Sequence, residues 1–101
     1  PLLDLPLAAL GLDFTDAYRA PNLAALACWR GDAGLQAGVA NAREIRLEPA
    51  ADLRATLRAV TAHVPVARCL ATPSTALLYL PRHAALEKLA ALAQAAHGFE
   101  P

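Results

Sequence analysis

The chain has 101 residues, nine basic and nine acidic side chains, a formal net charge of zero and 56% hydrophobic residues. That length fits one domain, 1–101, and the apolar share argues against disorder. Balanced charge with only 5% aromatic residues excludes the basic surface and stacking platforms of a nucleic-acid binder.

Residues 1–21 read as an apolar arm. "PLLDLPLAALGLDF" lacks a positive leader and carries Asp4 and Asp13, so it resembles neither an intact signal peptide nor a membrane span. A cytoplasmic location is the expectation. Pro6 to Leu10 is expected to form a helical turn ending at Gly11, and the arm to pack on the sheet. Within "DFTDAYRAPN", Asp13, Asp16, Tyr18 and Arg19 could line a pocket, with Asp16 as a base and Arg19 on an anion. The competing reading makes Thr15 the cap of a short helical stretch that Pro21 ends.

Residues 22–64 read as a first ββα unit. "NLAALACWRG" is taken as a strand, "GDAG" as a turn, and "LQAGVANA" as a strand interrupted near Asn41. The alternation of Arg43, Ile45 and Leu47 with Glu44, Arg46 and Glu48 extends it. Pro49 opens a helix, Leu53, Leu57, Val60 and Val64 form its apolar stripe, and Val64-Pro65 ends it.

Residues 65–98 repeat the plan. "VARCLAT" and "TALLYLP" read as a hairpin from Val66 to Leu80. After Pro81 comes a helix with Leu86, Leu89, Leu92, Ala93 and Ala96 facing inward and Lys88 facing out. Gly98 stops it. Two such units predict an α+β two-layer sandwich, with four antiparallel strands under two helices on one face. That architecture is similar to ferredoxin-like sandwiches, or to roadblock-like and profilin-like domains.

Catalytic signatures are missing: no G-x-S-x-G, H-E-x-x-H, Walker-type loop or C-x-x-C occurs. No two of Cys28, Cys69, His63, His83 and His97 lie within four residues, so neither a metal nor another cofactor is expected. Trp29 and Arg30, with Leu3 and Leu7 of the arm, are the interface candidates. Twenty-six Ala, 19 Leu and eight Arg against one Lys suggest a GC-rich bacterial genome. The resulting expectation is a non-enzymatic assembly or interaction module, a small bacterial subunit or adaptor. It would bind a second copy or another protein, and neither nucleic acid nor membrane. The alternative is a small-molecule enzyme or accessory subunit with a pocket near Asp13–Arg19.

Overall fold

Strands and helices alternate along the chain in a computed structural model that describes residues 9–29 and 33–101. They are β1 (Ala9–Asp13), α1 (Arg19–Leu26), β2 (Gly34–Ala40), α2 (Ala50–Thr61), β3 (Cys69–Pro73) and α3 (Arg82–Ala96). The sheet has three strands in the order β1-β2-β3, all parallel. Ala9 stands opposite Gly34, and Leu35 opposite Cys69.

This overturns the four-stranded antiparallel sandwich and, with it, the ferredoxin-like and roadblock- or profilin-like arrangement: the fold is α/β. Parallel neighbours need a crossover of a dozen or more residues, and the helices supply it where hairpin turns were expected. The first half of "NLAALACWRG", residues 22–26, is helix, because Leu23 and Leu26 sit three apart on the face that α1 turns to the core. Pro21 lies inside the first turn of α1 instead of ending it, a position where its missing N–H leaves no bond unmade. "REIRLE" is a loop, with Ile45 and Leu47 exposed. In "TALLYLP" only a 3-10 turn forms, Leu77–Tyr79. Leu10 and Gly11 belong to β1, not to a helical turn. Leu3 and Leu7 lie outside the described residues, as do Arg30 and the "GDAG" turn up to Asp32.

One face of the sheet is covered. Leu12, Leu35, Ala37, Val39, Cys69 and Ala71 pack there against Leu26, Leu53, Leu57, Val60, Val64, Leu92 and Ala95. The α2 stripe therefore runs where its sequence placed it, with Pro49 just before the helix. The α3 stripe does not. Ala84, Lys88, Ala91, Leu92 and Ala95 are buried, while Leu86 and Leu89 are exposed. Small alanines let α3 lie close, and bulk was a poor guide to its inner face. Gly98, at φ 63°, turns the chain after α3.

The other sheet face carries Gly11, Gln36 and Leu70, all exposed. Consecutive strand order puts the described helices on one side, unlike doubly wound sheets, which are covered on both. Among the described residues, no helix is long and apolar enough to cross a membrane.

Candidate site at the carboxyl ends of the strands

Polar side chains gather where the three strands end, the usual position of sites in parallel βα folds. β1 ends at Asp13, whose Oδ1 accepts from the Thr15 N–H at 2.8 Å and the Thr15 hydroxyl at 2.6 Å. Thr15 thus serves Asp13, and its side chain makes no cap bond to the following turn. Asn22 of α1 donates to the Asp13 carbonyl at 2.7 Å, which fixes α1 against the end of β1.

β2 ends one residue before Asn41, which is buried. Its Nδ2 donates to Asp16 at 2.7 Å and to Glu44 at 3.0 Å, and its Oδ1 accepts from the Arg43 N–H at 2.9 Å. Arg43 returns toward β1, with Nη2 2.6 Å from Asp13 Oδ2 and 3.1 Å from the Thr15 hydroxyl. Its guanidinium also lies over the Tyr18 ring, 5.4 Å from the centroid. Beyond β3, Ser74 donates its N–H to the Ala40 carbonyl at 2.7 Å, and its hydroxyl accepts from Ala42 at 3.0 Å. All three βα loops are therefore tied together.

Burial alone would raise the Asp13 carboxyl, but the bonds from Thr15 and Arg43 outweigh it and hold Asp13 below the usual carboxylate range. Its ionised form thus favours the fold above the unfolded value near 3.8, and that contribution is lost as pH falls through the lower, folded value. Asp13→Asn should lower stability by on the order of 1–2 kcal/mol at neutral pH. The difference from wild type should narrow as pH falls below 3.8. Thermal melts at pH 7 and at falling acid pH check this, and a gap that does not narrow in acid would contradict it.

Asp16 is the described non-glycine residue with positive φ, at 50°. Such backbone is strained for a residue with a side chain and gathers at functional sites. Asp16 and Arg19 line a cavity of about 260 Å³ with Thr15, Asn41, Arg46 and Glu48. On the sheet face opposite the helices, a second cavity of about 440 Å³ is lined by Gly11, Asp13, Gln36, Thr72, Ser74 and Thr75. Tyr18, Ile45, Leu47, Leu78 and Tyr79, all exposed on the same three loops, surround this polar end with apolar surface.

The structure brings Asp13, Asp16, Tyr18 and Arg19 to one end of the sheet, along with partners the sequence did not single out: Asn41, Arg43, Glu44, Glu48 and Ser74. Only the strand-then-loop punctuation after "GVA" could have pointed to Asn41. Trp29 follows α1 and lies on no strand: its backbone N–H donates to the Leu26 carbonyl at 2.9 Å and its ring packs on the core. Its Nε1 is buried without a partner among the described residues. His63 is exposed after α2, and His83 and His97 are exposed at opposite ends of α3; among the described residues no three potential ligands converge for a metal. Burial pushes the Cys69 thiol up, and Cys28 is exposed.

No protein-family model matches the sequence, and no curated protein matches it. Among solved structures, the chain is similar to a B12-independent methionine synthase from Shewanella sp. W3-18-1, in complex with selenomethionine. The two superpose with a TM-score of 0.84 at 20% identity, over 95% of this chain and 27% of that one. The chain thus spans little more than a quarter of the length of that structure, and at such identity the likeness establishes the fold alone: parallel strands with a helix after each.

Proposed function

We propose that the chain is the ligand-binding βα segment of a small-molecule enzyme, with its site at the carboxyl ends of β1, β2 and β3. The observation that carries this reading is the network joining Asp13, Asp16, Asn41, Arg43, Glu44 and Ser74 across all three βα loops. A loop end needed only for folding has no reason to hold the carboxylates of Asp13, Asp16, Glu44 and Glu48 and the guanidinium groups of Arg19, Arg43 and Arg46 beside a cavity and a strained Asp16. A cavity of about 260 Å³ is smaller than those that take drug-sized ligands. Its lining of carboxylates and guanidinium groups suits a small zwitterion, whose ammonium and carboxylate need opposite charges a few ångströms apart. An α-amino acid is such a molecule. The similar Shewanella methionine synthase was solved with an amino acid, selenomethionine, and this extends the same ligand class to the present chain.

L-Methionine added to the ¹⁵N-labelled chain is expected to shift the Asn41, Asp16 and Arg43 resonances saturably, with little change at Val60 in α2. Asn41→Ala should weaken that response roughly tenfold, the effect of losing one charge-assisted contact. Resonances that stay fixed through saturating methionine would overturn the amino-acid reading.

Assembly is the second reading, favoured by the exposed Gln36 and Leu70 on a face that no described helix covers. Parallel sheets are normally covered on both faces. A chain that sediments as a dimer while ignoring methionine would support assembly in place of catalysis.

A further inference from the structure

Lys88 is the single lysine of the chain and is 1% exposed. It lies in the middle of α3, away from the loops, yet its Nζ reaches the Arg46 carbonyl at 2.7 Å and Glu48 Oε1 at 2.9 Å. Glu48 is also largely covered, and its other oxygen accepts from the Asn41 N–H at 2.8 Å. A buried ammonium needs both a counter-ion and further acceptors to offset lost hydration. Glu48 and Arg46 meet that need, and both belong to the β2–α2 loop. One cation from α3 therefore holds the end of the segment that carries Arg43 and Glu44, and Glu48 ties that end back to its start at Asn41.

We infer that Lys88 is a positioning residue for the site at the strand ends: through Glu48 it fixes Asn41, and through Asn41 it sets where Asp16, Glu44 and Arg43 stand. This rests on the reading of that end of the sheet as the binding site. The connections run in sequence. Lys88 orients Glu48, so that one carboxylate oxygen is spent on the ammonium and the other is aimed at the Asn41 N–H. With its backbone held, Asn41 can direct Nδ2 to Asp16 and Glu44 while its Oδ1 receives the Arg43 N–H. Arg43 in turn reaches Asp13 on β1. A neutral side chain at 88 would leave Glu48 as a partly buried carboxylate without its cation. Glu48 would then swing toward water and release Asn41.

Native-state hydrogen exchange on the full chain, without ligand, tests the inference. In Lys88→Met, protection at the Asn41 and Arg43 amides should fall roughly tenfold or more relative to Ala37 in β2 and Val60 in α2, as a local opening would produce. The paired Asn41 side-chain amide resonances should move toward solvent values. Lys88→Arg, which keeps a cationic donor, should restore part of the protection. Should Lys88→Met fail to fold, Lys88→Gln supplies a neutral N–H donor on a side chain one atom shorter, and the same amide ratio is read there. Uniform loss at all four amides would make Lys88 a packing element only, and unchanged protection would remove any role. Either result overturns the inference. Neither depends on methionine, so failure here is distinct from failure of the ligand titration.

Discussion

Leu57→Asp is expected to leave no cooperative thermal transition, whereas Leu89→Asp should keep one. Leu57 is 5% exposed in α2 and packs in the core formed with β2 and α3. A carboxylate there has no partner, and burying one costs several kcal/mol. A small domain holds only about 5–15 kcal/mol in total. Leu89 is 46% exposed on the outer side of α3. Its replacement loses little packing and some helix propensity, under about 1 kcal/mol. Melts followed by circular dichroism check both. Equal damage from the two substitutions would mean that α3 is rotated from the orientation described, with its leucines inward and Lys88 outward.

Gly38→Val should destabilise the chain by more than about 2 kcal/mol, as overpacking at rigid contacts does. A Cβ at position 38 would stand 2.9 Å from the Ser74 Cα, 3.0 Å from the Leu12 carbonyl oxygen and 3.3 Å from the Pro73 carbonyl oxygen. All three are backbone atoms of the flanking strands or their loops and cannot rotate away. Gly11→Ala is the control. A Cβ there meets only Gln36 atoms at 3.7 Å or more, so its effect should be small. Denaturant midpoints for the two variants decide the matter. A Gly38→Val midpoint near wild type would mean that the Ser74 loop does not press on β2.

The existence of α2 and α3 was legible in the sequence, whereas α1, β1 and the topology were not. Pro49 and Pro81 each stand immediately before a helix, and Gly98 ends the second of them. Leu53, Leu57 and Val60 repeat at helical spacing with the bulk that fills a core. The strands misled because a parallel strand beneath helices need not alternate. "GLQAGVA" is a run of small residues, five of which are buried, whereas the true alternation in "REIRLE" belongs to a loop whose charged side chains serve the site. Alternation of polar and apolar residues was read as pairing when it marked a loop with two jobs. The α3 register failed on size: Ala84, Ala91 and Ala95 face inward because α3 lies close, and a buried lysine was not anticipated from an outward-facing charge. At the site, Asp13, Asp16, Tyr18 and Arg19 stood out as a dense polar stretch. Asn41, Arg43 and Glu48 come from a loop distant in sequence, so their meeting with Asp13 could follow only from the β1–β2 register.

The consecutive strand order also sets how the chain can fold. Each ladder closes over one helix and its loops, Ala9 onto Gly34 and Leu35 onto Cys69. Among the described strands, each pairs only with its neighbour in sequence. Loop closure over such spans is entropically modest, and nearby contacts favour fast folding. As the chain leaves the ribosome from its N-terminus, β2 can dock on β1 before β3 has been made, and α3 then covers the last strand. Lys88 arrives late in that order, and its ammonium meets a β2–α2 loop whose ends are already in place. The site would thus be locked only when the final helix docks.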